Sequence, residues 1–295
     1  MPDLKRILCP VDFSTFSVSA YRHALSLAHH FRAALSVVHI VELWRYPSAD
    51  FAASAESFEA FCRTLSEKSR EQLQDLVTRY PSDETKLECV VQHGDASESI
   101  LSIAKAQHAD MIVMGTHGRR GVDRLMLGSV TERVMRKALC PVLVVRQSPH
   151  GRLSPEEPGD PVRLRRLLYC TDFSGPAQRA LDYALSLATE YDAELILLHV
   201  LEGLPGSADQ AKATATVSDQ LETLIPQGRR QTGGMACAAR VGRPYQQIIQ
   251  LAAEAKIDLV IMGVRGRGAL DLAVFGSTTY RVIQLGPCPV LVVPV

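Results

Sequence analysis

The chain repeats itself, and that repetition constrains its fold more than any other feature. Lys5-Arg-Ile-Leu-Cys-Pro-Val-Asp-Phe-Ser14 returns as Arg165-Arg-Leu-Leu-Tyr-Cys-Thr-Asp-Phe-Ser174, and Tyr21-Arg-His-Ala-Leu-Ser-Leu-Ala28 returns as Leu181-Asp-Tyr-Ala-Leu-Ser-Leu-Ala188, both 160 residues later. Val37-Val-His-Ile-Val-Glu42 recurs as Leu197-Leu-His-Val-Leu-Glu202 at the same offset. Beyond that point the offset drops to 148, so Asp110-Met-Ile-Val-Met-Gly115 matches Asp258-Leu-Val-Ile-Met-Gly263. Each copy closes on the same words, Cys140-Pro-Val-Leu-Val-Val145 and Cys288-Pro-Val-Leu-Val-Val293. The second copy is therefore the first with a shortened middle. A length of 295 residues suits two cores. We expect domains at 1–147 and 163–295, with a linker over 148–162 that is rich in Pro, Gly and Ser.

Within a copy, apolar runs of strand length alternate with helical periodicity. The first copy predicts strands at Arg6–Val11, Leu35–Val41, Lys86–Gln92, Met111–Met114 and Pro141–Val145. Helices fall between them: one capped by Ser14 or Ser17 and running through Ala33, then Ala53–Tyr80, Ala96–Gln107 and Ser129–Ala138. Alternating β and α units imply an α/β fold, a parallel sheet with helices on both faces. Five strands per copy suit a flavodoxin-like order 3-2-1-4-5, whose ligand crevice opens at the carboxyl ends of the strands where the order reverses, with ligand groups from the loops after strands one, two and four. The apolar final strands, Val142–Val145 and Val290–Val293, are edges able to pair with one another inside the chain.

Composition removes several function classes. Lys+Arg and Asp+Glu are both 32, so the chain lacks the overall basic field of a nucleic-acid or anionic-membrane binder. No apolar run approaches the ~20 residues of a spanning helix, and the N-terminus has no signal-peptide core. Seven cysteines without a C-x-x-C pair suggest neither a disulfide framework nor a zinc site; reduced thiols in a cytoplasmic protein fit. G-x-x-x-x-G-K-[ST] is absent, and Gly266-Arg-Gly268-Ala-Leu-Asp271 lacks the third glycine of a dinucleotide fingerprint.

What recurs instead is glycine around the fourth strand. Gly115-Thr-His-Gly118 is followed by nine residues and Gly128-Ser129; Gly263-Val-Arg-Gly266 is followed by nine and Gly276-Ser277. Glycines let backbone approach a ligand, and amides at a helix head (Ser129, Val130; Ser277, Thr278) suit phosphate oxygens. A packing motif preserved by duplication is the competing explanation. Asp12 and Asp172 follow the first strands, where a carboxylate either caps the next helix or meets a ligand, by accepting from ribose hydroxyls or holding Mg²⁺ on phosphates. Arg119 and Arg267 sit directly after the second glycines, placed to neutralise phosphate or simply solvated. His39 and His199 recur inside second strands, without a serine or cysteine partner at suggestive spacing, and read as structural.

With D-F-S after strand one, C-P-V-L-V-V at the end and G-x2-G-x9-G-[ST] in both copies, the chain resembles a tandem member of the UspA (universal stress protein) superfamily, in its nucleotide-binding branch. The resemblance spans Lys5–Val145 and Arg165–Val293. It implies ATP binding with or without Mg²⁺, a role in stress resistance, and dimerisation through the last strand: here an intrachain pseudo-dimer, with a homodimer of whole chains beyond it. It also implies an adenine site from strands one, two and four: Pro10, Val11, Ile40 and Met114, then Thr171, Val200 and Met262. Cys170 stands where the first copy has Pro10. The expected function is a nucleotide-binding sensor with little or no turnover. A slow ATP hydrolase or autokinase, and a non-binding interaction protein of the same fold, are the alternatives.

Overall fold

The computed structural model describes residues 4–45, 55–81, 85–118, 127–146, 162–203, 207–226, 234–264 and 276–294. The first half runs β1 (Arg6–Pro10), α1 (Thr15–Phe31), β2 (Ala34–Val41), α2 (Ala55–Arg79), β3 (Leu87–His93), α3 (Ala96–Ala106), β4 (Met111–Gly115), α4 (Ser129–Lys137) and β5 (Val142–Val145). The second repeats it with β6 (Arg166–Cys170), α5 (Gly175–Glu190), β7 (Glu194–Leu201), α6 (Ser207–Thr223), β8 (Met235–Val241), α7 (Pro244–Glu254), β9 (Leu259–Gly263), α8 (Ser277–Leu285) and β10 (Val290–Val293).

All ten strands belong to one sheet, ordered β3-β2-β1-β4-β5-β10-β9-β6-β7-β8. Each half has the expected 3-2-1-4-5 order with parallel neighbours. The two join through their last strands. β5 and β10 pair antiparallel, with Val142 opposite Val292, Leu143 opposite Leu291 and Val144 opposite Val290. One half's strands consequently run opposite to the other's, and their carboxyl ends open at opposite edges of the sheet.

The short strands are apolar without alternation because both faces are covered. Ile7, Cys9, Leu35, Val37 and Val113 join a core shared with α1 and α2, which continues through Leu143 and Leu291 into α5 and α6. Leu8, Val38, Ile112 and Met114 face the opposite core beneath α3 and α4, continuous with that of α7 and α8. Asp110 and Asp258 anchor the strand starts. Asp110 Oδ2 accepts the Lys5 and Arg6 amides, both at 2.8 Å, and Asp258 Oδ2 accepts those of Arg165 and Arg166 at 2.7 and 2.9 Å.

Local chemistry fixes the helix ends. Ser14, one of the two expected candidates, is the N-cap of α1, its Oγ accepting the Ser17 amide at 3.2 Å; Ser174 does the same for Ala177 at 3.4 Å. α1 stops at Phe31, two residues before the expected Ala33, because Arg32 turns left-handed (φ 53°) and its amide folds back onto the helix carbonyls. Asp95 caps α3, its Oδ1 accepting the Glu98 amide at 2.9 Å and the Ser97 hydroxyl at 2.6 Å, with Arg133 3.8 Å from Oδ2. These contacts, the Ser97 hydroxyl foremost, hold the Asp95 carboxyl below the ordinary aspartate range. The stabilisation is complete above the unfolded value of about 3.9 and is lost as pH falls through the lower folded value. Asp95→Asn should flatten that acid limb in thermal melts between about pH 2 and 5. An acid limb identical to the parent's would show that Asp95 does not contribute to it.

Further contacts among the described residues supplement the strand junction between the halves. His30 stacks on Tyr191 at 4.3 Å and 12°, and its Nε2 lies 3.1 Å from Glu190 Oε1. Arg146 donates to the carbonyls of Gln284 and Gly286. Val162 donates its amide to Ser26 Oγ at 2.6 Å. Among the described residues, no helix is long and apolar enough to cross a membrane.

Candidate functional site

The crevice at the carboxyl ends of β1 and β4 is where strand order reverses, so the segments leaving these strands diverge to opposite faces of the sheet. After β1 the chain makes the turn Asp12-Phe13-Ser14. Phe13 is left-handed (φ 63°), as is Phe173 (φ 61°) in the second copy, an uncommon conformation for a bulky residue. Its ring lies 4.6 Å from that of His39, and Phe173 lies 4.8 Å from His199. Each histidine donates from Nδ1 at 2.8 Å to the backbone carbonyl before the aspartate, Val11 or Thr171. The recurring histidines are thus pins for the turn, as their place inside strands suggested.

Asp12 performs part of the capping role weighed against a ligand role. Its Oδ1 accepts the Ser14 amide at 3.1 Å and the Ser14 hydroxyl at 2.6 Å, while Ser14 itself caps α1. Asp172 Oδ1 likewise accepts the Ser174 amide at 3.1 Å. The other oxygen of Asp12 faces the β4 loop: a Cβ on Gly118 would sit 2.6 Å from Asp12 Oδ2. Gly118 thus brings bare backbone against the carboxylate, where any side chain would collide.

The glycines do not share one task. Gly115 is not in the loop after β4, as the spacing suggested, but is its last residue, and an added Cβ would lie 2.9 Å from the backbone carbon and oxygen of Phe16. Gly263 is the same, 3.0 Å from the Pro176 carbon. Both let the first turn of α1 or α5 pack onto the strand, so the packing explanation holds for the first glycine of each signature. Gly128 and Gly276 are N-caps of α4 and α8 and provide no side chain to satisfy the first-turn amides. Ser129 and Ser277, exposed, begin those helices, with half-buried Val130 and Thr278 next.

A latch that the sequence reading missed holds these helix heads in place. Thr131 Oγ1 donates to the Gly115 carbonyl at 2.9 Å, and Thr279 Oγ1 to the Gly263 carbonyl at 3.2 Å. Gly128 and Gly276 donate back to Thr116 and Val264 at 2.9 and 3.4 Å. The recurrence of threonine two residues after each serine was the available signal.

The residues assigned to the adenine wall are divided by the sheet. Ile40 and Met114, both nearly buried, lie in the α3/α4 core, and Met262 with half-buried Val200 in its counterpart. Val11 packs into the α1/α2 core instead, with its amide bound to Val38 O and its carbonyl to His39. Pro10, the last residue of β1, is buried. Thr171 turns its Oγ1 to the Phe173 amide at 2.9 Å, and Cys170 is buried in the α7/α8 core with its thiol raised by desolvation. The structure therefore brings Ile40 with Met114 and Val200 with Met262 onto one face of the crevice, and leaves the Val11 side chain on the other. Arg119, Gly266 and Arg267 lie outside the described residues. Among the described residues, no group of three His, Cys, Asp or Glu side chains gathers around a common point.

Comparison with known proteins follows the duplication. The family model described as the universal stress protein family matches residues 3–146 and again 163–294. A universal stress protein of Methanocaldococcus jannaschii is 34% identical over 143 residues, 48% of this chain and 82% of that protein. One from Mycobacterium tuberculosis is 30% identical over 195 residues, 63% of this chain and 62% of that protein. A crystal structure of a universal stress protein from Archaeoglobus fulgidus superposes with a TM-score of 0.72 at 23% identity, covering 98% of this chain and 96% of the other, a likeness of fold.

Proposed function

Because the chain belongs to the universal stress protein family, duplicated within one polypeptide, we propose that each half binds an adenine nucleotide, ATP in the first instance, and that the protein acts as a binding sensor with little or no turnover. The observation that carries this is the crevice between Asp12 and Gly118. A carboxylate held rigid by Ser14 faces backbone that is bare of a side chain, beside a helix head with no side-chain cap. That arrangement suits a polar, phosphate-bearing ligand: hydroxyls to the carboxylate, and phosphate oxygens to amides and the Ser129 hydroxyl. Ile40 and Met114 offer the apolar wall for a base, with Val200 and Met262 in the second half. Asp12 and Asp172 are also the residues that would meet a Mg²⁺ accompanying the phosphates. Arg119 and Arg267 complete the proposed phosphate contacts, with Gly266 as the counterpart of Gly118.

The low-turnover reading rests on the state of the same carboxylate. Asp12 Oδ1 already accepts two hydrogen bonds from Ser14, which tie that oxygen into the turn rather than leaving it to accept a proton from an attacking water. All seven cysteines are free thiols, in keeping with the cytoplasmic location we assign.

The test needs no assumed substrate. Freshly purified protein is denatured and the released small molecules are separated and counted per chain. We expect about two adenine nucleotides per chain, or a thermal shift on adding millimolar Mg·ATP if they are lost in purification. Neither nucleotide nor shift would overturn the proposal. Phosphate release equal to that of an Asp12→Ala, Asp172→Ala double variant supports the sensor reading, and release well above it overturns the low-turnover part.

A further inference from the structure

The two halves are related by a pseudo-twofold axis through β5 and β10, so every cleft in one half has a counterpart in the other. One such pair is unequal. Where the amino ends of β1, β4 and β5 meet α5, a cavity of about 300 Å³ opens between the halves, lined by Phe31, Met111, Tyr183 and Leu187 among others. The counterpart, around His23, Leu27 and Leu259, retains only about 20 Å³.

The residues around the two clefts differ. Ala109 lies at the wall of the open cavity, while its equivalent Ile257 is buried in the α7/α8 core and is not part of the closed one's lining. Val162, also buried, seals the entrance by giving its amide to Ser26 Oγ. The equivalent of Ser26 is Ser186, which lines the open cavity. Leu139 of the first half is 82% exposed and adds an apolar lip, where the second half has Pro287.

The polar groups facing this space are few. Asp110 supplies a carboxylate whose Oδ2 takes the Lys5 and Arg6 amides, leaving Oδ1 to meet a donor. Desolvation raises the Tyr183 hydroxyl and pushes the Cys140 thiol to about 11, so both are neutral near pH 7. No basic side chain is among the described residues of the lining. An apolar chamber at a domain interface with one carboxylate and two hydroxyls has the features of a small-molecule site, at the lower end of the usual volume range. We propose that this cavity binds a small organic amine, a cationic ammonium on an aromatic or branched-alkyl body, with the ammonium at Asp110 and the body between Phe31, Met111 and Leu187. The site is distinct from both nucleotide crevices, since none of the residues lining it belongs to the crevice of either half.

Titration calorimetry of the full chain with phenethylamine, 2-phenylethanol and phenylacetate tests it, because the three share a ring and differ in charge. Phenethylamine should bind at least tenfold more tightly than phenylacetate, with 2-phenylethanol between. Ala109→Ile, which adds three carbons at the wall of this cavity, should weaken phenethylamine binding at least tenfold without changing nucleotide content. Asp110→Asn keeps an amide-accepting oxygen and should abolish the preference for amine over acid; it serves equally if Ala109→Ile does not fold. Equal binding of amine and acid, retention of phenethylamine affinity in Ala109→Ile, or no binding of any of the three at millimolar concentration would each overturn the proposal.

Discussion

Leu143→Asp should destabilise the protein by about 4 kcal/mol or more, the range associated with an unpaired charge in a core. Leu143 is buried and pairs with Leu291, itself buried, at the centre of the β5–β10 junction. Both side chains belong to the core that runs continuously beneath α1, α2, α5 and α6. A carboxylate there would be buried among apolar side chains and removes apolar contact from both halves at once. At roughly 2–4 °C per kcal/mol for a chain of this size, the melting temperature should fall by about 10 °C. Leu139→Asp, four residues earlier and 82% exposed, should change stability by no more than about 0.5 kcal/mol. A Leu143→Asp protein melting within about 2 °C of the parent would show that the halves do not depend on their shared strands.

The second large effect is on ligand rather than stability. Gly118→Ala places a methyl group 2.6 Å from Asp12 Oδ2, so the carboxylate or the loop must move out of the geometry that faces the proposed nucleotide. We expect the first half to lose at least tenfold in nucleotide affinity, about 1.4 kcal/mol, and bound nucleotide to fall from two to one per chain. Melting of the nucleotide-free protein should barely change, because Gly118 is exposed. Gly115→Ala should do the reverse. Its Cβ meets the Phe16 backbone at 2.9 Å, an overpacking cost of about 1–3 kcal/mol that lowers the melting temperature before any ligand is added. Two glycines three residues apart are thereby assigned to different tasks by different assays. If Gly118→Ala retains two nucleotides per chain, the Asp12–Gly118 crevice is not where nucleotide binds.

The contrast between these glycines marks how far the sequence could be read. Their spacing, repeated in both copies, located the crevice because spacing along the chain is a local property that duplication displays twice. Which glycine touches what depends on α1 crossing β4, a contact between residues about 100 positions apart, and no pattern near residue 115 or 118 reports it. Asp12 shows the same boundary. Its place after β1 marked it as a site residue, but the bonds to Ser14 belong to the turn geometry that left-handed Phe13 creates. The adenine wall was the least legible part. Val11 and Ile40 look alike in sequence, and only the pleat of the sheet puts one beneath α1 and the other beneath α3.

The sequence by itself determined the duplication, the βα alternation and the pair of polar turns at the strand ends. Each follows from residue type and periodicity, which act over a few neighbours and therefore survive in a linear record. Pairing of the two final strands inside the chain was expected; the tertiary structure alone decided that β5 and β10 pair antiparallel in a fixed register, so that two equivalent crevices open at opposite edges of one ten-stranded sheet. It alone decided that one inter-half cleft is nearly closed, with Val162 in its lining, while the other stays open. Those outcomes depend on which faces of two nearly identical halves meet. Packing between surfaces distant in sequence sets them, and a repeat that is nearly symmetric in its residues becomes unequal where the surfaces touch.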